Sequence, residues 1–127
     1  MINKVVLTFK DGKVLKGLTS NFFPNKESFH LSCEDGKITE VQREDLKAIF
    51  FVKDYSGNKA RNDKYEDHIP GAGRKIRVKF KDDEIITGFC HGYSSSRPGF
   101  FIMPADKNGN NERIFIVTSA TATVKFL

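Results

Sequence analysis

A chain of 127 residues with a net charge of +5, two cysteines and no tryptophan excludes several classes at once. No apolar run approaches the ~18 residues of a membrane-spanning helix, and Cys33 and Cys90 are too few for a disulfide framework. Nothing resembles a signal peptide, because a strand-like segment follows Met1 at once, so a cytoplasmic protein without a membrane anchor is expected.

Val5, Leu7 and Phe9 alternate with Val6, Thr8 and Lys10, the period of a strand with one buried face. Asp11-Gly12 supplies a tight hairpin turn, and a second strand runs from Lys13 to about Phe22 with Gly17 inside it, where a missing side chain marks a bend or a close backbone approach. Phe22 to Glu27 reads as a loop punctuated by Pro24 and Asn25. Strand character resumes over Phe29–Cys33, turns at Glu34-Asp35-Gly36, and continues in Lys37–Gln42 and Leu46–Lys53. Asp54 to Gly73 is polar and rich in Gly and Asn, the composition of a linker.

From Arg74 the pattern begins again. At an offset of 71, Lys4, Phe9, Lys10, Asp11, Gly17 and Phe29 fall on Lys75, Phe80, Lys81, Asp82, Gly88 and Phe100. After an insertion around Asp106–Asn111 the offset becomes 75, which places Val124 on Ile49 and Phe126 on Phe51. The sequence therefore predicts an all-β protein of two tandem five-stranded small barrels related by duplication, residues 1–53 and 74–127, joined by a polar linker over 54–73.

The second repeat holds most of the basic excess, with 9 basic and 5 acidic side chains over 74–127 against 9 and 7 over 1–53. On first and last strands, which neighbour each other in small barrels, Arg77, Lys79 and Lys125 point outward. Either they are a hydrated strand face or they contact an anionic polymer. At the corresponding outward positions the first repeat has Val6, Ala48 and Phe50, an apolar patch expected to be covered by the other repeat, the linker or another subunit. The loops place aromatics beside cations, Phe22 and Phe23 next to Lys26 and Tyr93 next to Arg97, a combination that stacks on bases and meets phosphates, the alternative being that Phe22 and Tyr93 only cap their barrels; Arg113 further on either reads a ligand's polar edge or ends an exposed hairpin.

Chemistry beyond binding is not indicated. His30 and Cys33, and likewise Cys90 and His91, point to opposite faces of their strands, so no metal site converges. No nucleophile, base and oxyanion donor are assigned together. An enzyme is not expected, and neither is a cofactor.

VVLTFKDGKVLKG resembles the opening of the Sm-like, SH3-type small barrels, and QREDLKAIFFV is similar to their final-strand motif. The resemblance covers each repeat in outline and implies the small-barrel fold. In the Sm family an Asp and an Asn in the loop after strand two contact RNA; here Asn25 is the one polar counterpart, and the family's Arg-Gly appears as Arg43-Glu44. The doublet is also similar to uncharacterised bacterial proteins. The leading expectation is an RNA-binding module using Arg77, Lys79 and Lys125 with Tyr93, Arg97 and Arg113. The alternative is an adaptor or homo-oligomer that meets a protein through Val6, Ala48, Phe50, Phe22 and Phe23.

Overall fold

The computed structural model describes residues 2–53, 73–104 and 111–127. The expected linker over 54–73, Gly73 apart, and most of the insertion near Asp106 lie outside the described residues. Ten strands are present: β1 Asn3–Phe9, β2 Val14–Thr19, β3 Ser28–Cys33, β4 Ile38–Gln42, β5 Leu46–Val52, β6 Arg74–Phe80, β7 Ile85–Cys90, β8 Gly99–Pro104, β9 Asn111–Val117 and β10 Thr121–Phe126. Short 3₁₀ turns over Arg43–Asp45 and Thr118–Ala120 precede β5 and β10. No helix among the described residues is long and apolar enough to cross a membrane.

The strands form one antiparallel sheet in the order β10-β6-β7-β8-β9-β5-β1-β2-β3-β4. This corrects the expectation of two closed barrels. Within each half the last strand pairs with the first, β5 with β1 and β10 with β6. The other edge of β5, however, pairs with β9 in the second half, Ile49 opposite Phe115 and Phe50 opposite Ile114. With that edge taken, the first five strands stay open. The physical reason is in β5 itself. A barrel strand alternates between core and solvent, whereas Leu46–Val52 is buried at every position but Phe50, which is half-buried, so β5 needs cover on both faces.

Both faces receive it. Val5, Leu7, Phe29, Leu31, Ile49, Phe51 and Phe115 build one core. Ala48, Ile76, Val78, Phe80, Ile102, Ile114 and Ile116 build the other. Alternate residues of β5 and of β9 thus enter opposite cores, and β8 does the same through Phe101 and Ile102. The halves share three strands, so neither core is complete without residues from the other half.

Two glycines set the local geometry of β2 and β7. A Cβ on Gly17 would lie 2.5 Å from the Ser32 carbonyl oxygen, and one on Gly88 2.5 Å from that of Met103. Each glycine lets the next strand approach closely, as the break in the alternation implied.

Candidate nucleic-acid interface

Antiparallel pairing places Lys125 of β10 directly opposite Arg77 of β6, and Thr123 opposite Lys79. All three cations are exposed because the even-numbered residues Ile76, Val78 and Phe80 fill the core behind them. On β7, Thr87 and Ile85 continue these two rows. Lys79 meets the Asp83 carboxylate at 3.6 Å, whereas Arg77 and Lys125 form no ion pair among the described residues. Three positive groups therefore stand on two adjacent strands at the end of the sheet.

The other expected contacts lie elsewhere. The Arg113 guanidinium stacks across Phe51 and Phe101, 4.3 and 5.0 Å from the ring centroids, beside a recess also bounded by Lys4 and Lys53. Phe51 comes from the first half and Phe101 from the second, so this stacking joins residues that no local pattern connects. Tyr93 packs edge-on against Phe100 at 4.8 Å and caps the second core, while Arg97 remains exposed on the loop between β7 and β8. The structure brings Arg77, Lys79 and Lys125 together and sets Tyr93, Arg97 and Arg113 apart from them.

The residues proposed for a protein partner are largely occupied within the chain. Ala48 is fully buried in the second core, Phe50 packs against the same core, and Val6 lies opposite Phe50 on β1. Phe22 meets Phe29 and Phe115 at 5.1 and 5.0 Å. Of the covers the sequence left open, the second half supplies the one over Ala48 and Phe50, while Val6 and Phe22 are half-buried. Phe23 alone stays half exposed, with the Lys26 ammonium 5.0 Å from its ring.

Sequence reasoning missed the polar fastening between the halves. Lys47 of β5 is buried yet charged. Its Nζ donates to Asp82 at 2.8 Å and to Glu84, both in the turn between β6 and β7, and lies 4.7 Å from the Phe80 ring. Burial opposes the Lys47 charge, but these two hydrogen bonds outweigh it and hold the pKa above the ordinary value. The same contact, with the Glu84 backbone N–H, lowers that of Asp82. A second fastening links Lys10 to Ser119 at 2.7 Å and Ser119 to Glu44 at 2.9 Å. There burial pushes the Glu44 carboxyl up, and hydrogen bonds from Ser119 and Arg43 bring it below its usual range. A lysine inside an apolar strand was the available signal.

Among the described residues no three His, Cys, Asp or Glu side chains converge on one point. His30 pairs with the Asn21 side chain at 2.9 Å and lies 3.8 Å from Glu40, which serves to order the start of the loop after β2. Cys33 and Cys90 are both free thiols.

No curated protein and no solved structure matches the sequence. A match to a described family covers residues 1–127. The chain belongs to DUF6982, a family of unknown function.

Proposed function

We propose that this chain is a non-catalytic binding module for single-stranded RNA, engaged through the outer face of β6 and β10. The observation that carries the reading is the pairing of Lys125 with Arg77, with Lys79 two residues along, on an exposed face where neither Arg77 nor Lys125 is neutralised by a described carboxylate. Polyanion binding is governed by release of condensed counterions, so contacts of this kind give a sequence-tolerant affinity that falls with salt. With three phosphates neutralised, log K against log salt should have a slope of about −2 for a single strand. The reading carries a cytoplasmic location with it, to which the two free thiols are suited.

Fluorescence anisotropy of a mixed-sequence single-stranded RNA, titrated at low and near-physiological salt, tests the proposal. Binding that weakens along that slope and is lost in the Arg77→Ala/Lys79→Ala variant is the expected result. No binding at low salt, or binding indifferent to both substitutions, overturns it.

We also infer that the two halves descend from one duplicated five-stranded unit of small-barrel type. What supports this is the shared order of pairing and its register. Leu7 opposite Ile49 and Val5 opposite Phe51 correspond, at the offsets of 71 and 75, to Val78 opposite Val124 and Ile76 opposite Phe126. The turn between β1 and β2 closes with Phe9 N–H donating to the Lys13 carbonyl at 2.8 Å, and that between β6 and β7 with Phe80 N–H donating to Glu84 at the same distance.

A further inference from the structure

Where the halves meet, the loop joining β2 to β3 and the loop joining β7 to β8 face each other across a cleft of about 600 Å³. Pro24 and Asn25 form one wall, and His91, Gly92, Arg97 and Pro98 form the other. Between them the lining is aromatic, with Phe100, Phe101 and Phe115.

Both walls are held in place by the surrounding chain. The buried Arg43 guanidinium donates to the carbonyl oxygens of Pro24 at 3.2 Å and Lys26 at 2.8 Å, which fixes the backbone on either side of Asn25. Opposite, the Cys90 thiol donates to the Gly92 carbonyl at 3.2 Å, Arg97 N–H to the Ser94 carbonyl at 3.2 Å, and Thr118 N–H to the Pro98 carbonyl at 2.9 Å. The side chains of Asn25, His91 and Arg97, by contrast, are exposed. Among the described residues no Asp or Glu lines the cleft. The recess therefore combines an apolar, ring-lined interior with an amide, an imidazole and, at its rim, a guanidinium that no described carboxylate neutralises.

That combination is selective. An aromatic lining favours a planar ring, and an arginine with no described carboxylate beside it favours an anionic group on the same ligand. Recesses of this size and composition accommodate small organic ligands, with a few polar groups setting orientation. We propose that the cleft binds one nucleotide unit, its base between the loop walls against Phe101 and its phosphate on Arg97. The shared chemistry allows two sources, a free nucleoside monophosphate or one unit of an RNA strand. The inference goes beyond the outer-face reading and does not depend on it: Arg77, Lys79 and Lys125 contact phosphates without choosing among bases, whereas a ring-lined cleft with polar groups at its rim can discriminate.

Amide chemical-shift mapping of the ¹⁵N-labelled full chain separates the possibilities. The probes are the four common ribonucleoside monophosphates, ribose 5-phosphate as a base-free control, and a short single-stranded RNA. We expect the monophosphates to shift the amides of Asn25, Gly92 and Gly99 but not those of Arg77 and Lys79. Ribose 5-phosphate should bind at least tenfold more weakly, and Arg97→Ala should weaken the nucleotides roughly tenfold, the loss typical of a hydrogen bond to a charged group. Arg97→Lys, which keeps charge but not the planar fork, should fall between. Saturation of the same amides by RNA assigns the source as a strand; shifts with monophosphates alone assign a free ligand. Equal binding of ribose 5-phosphate, or silence of these amides toward every probe, overturns the proposal. RNA binding that depends on Arg77 and Lys79 while the cleft stays silent overturns the cleft alone, and nucleotide binding in the cleft without RNA binding overturns the outer-face reading alone.

Discussion

Asp83 stands where the equivalent turn of the first half has Gly12, at a φ of +73° against +92°. The left-handed region strains a side chain that has a Cβ, by roughly 1–2 kcal/mol, and Asp tolerates it better than most. Both turns keep the same closure, Gly12 N–H to the Phe9 carbonyl and Asp83 N–H to that of Phe80, each at 3.0 Å. Asp83→Gly should therefore relieve strain without losing the turn. It gives up the 3.6 Å contact with Lys79, which is exposed on both sides and worth little. We expect about 0.5–1 kcal/mol of added stability, after the extra unfolded-state entropy of glycine is deducted, read as a Tm higher by a few degrees in a thermal melt. Glycines at strand crossings behave oppositely. Gly88→Ala sets a methyl 2.5 Å from the Met103 carbonyl oxygen and should destabilise by about 1–3 kcal/mol, the usual range for overpacking. Gly92→Ala, whose added methyl meets nothing within 4 Å, should raise the urea midpoint slightly, because alanine has less unfolded-state entropy to lose.

At the scale of elements, β5 is the strand on which the two halves depend, and Lys47 shows how a charge is kept inside it. Asp82 and Glu84 remain about half exposed while the Lys47 side chain is 8% exposed. Removing the lysine leaves two hydrated carboxylates; removing the carboxylates leaves a buried ammonium. Lys47→Met should consequently stay close to the parent at neutral pH, whereas Asp82→Asn/Glu84→Gln, which leaves the buried ammonium without a counter-charge, should lower the urea midpoint clearly. A urea midpoint lowered equally in both variants would contradict this. The pH dependence follows from the same contacts. Because Lys47 depresses the folded-state pKa of Asp82, that stabilisation is present above the unfolded value near 4 and is lost as pH falls through the folded value. The raised Lys47 value acts in the opposite direction, contributing below about pH 10.4 and fading as pH rises past the folded value. Urea midpoints measured from pH 6 to pH 2 should fall less steeply for Lys47→Met than for the parent. The strands and their turns were legible because Asp11-Gly12, Gly17 and the period of two are local signals. The adjacency of Lys125 and Arg77 was legible from the pairing of first and last strands. The joint was not, because a continuous apolar run such as Ile49–Val52 or Ile114–Val117 says that both faces are covered without saying by what. Arg113 over Phe51 and Phe101, and the cleft between two loops far apart in sequence, depend on that joint and were hidden with it.

For the whole molecule, the pairing of β5 with β9 joins the last strand of one half to the fourth strand of the other. The same two kinds of strand, β4 and β10, form the outer ends of the sheet. A heterologous contact of this type, when it repeats from copy to copy, gives a ring or an open filament. Side-chain chemistry argues that it does not. At the offset of 75, Phe115 in the joint corresponds to Glu40 at one end, and Phe50 to Lys125 at the other. β4 is exposed everywhere except Val41, and β10 carries Thr121, Thr123 and Lys125, whereas the joint is lined by Ile49, Phe50, Ile114 and Phe115. Charged edges resist pairing because each added strand would desolvate them. The protein should therefore sediment as a monomer at concentrations of tens of micromolar, a regime in which weak edge contacts would register. Replacing the two charges with the residues found in the joint, Glu40→Phe/Lys125→Phe, should convert the ends into copies of it and drive concentration-dependent association beyond a dimer, because each copy would present both complementary edges. Either single substitution should add much less, since one end of every contact would still be charged. A parent protein that already assembles, or a double variant that stays monomeric while folded, would show that the edges are governed by something other than these two residues.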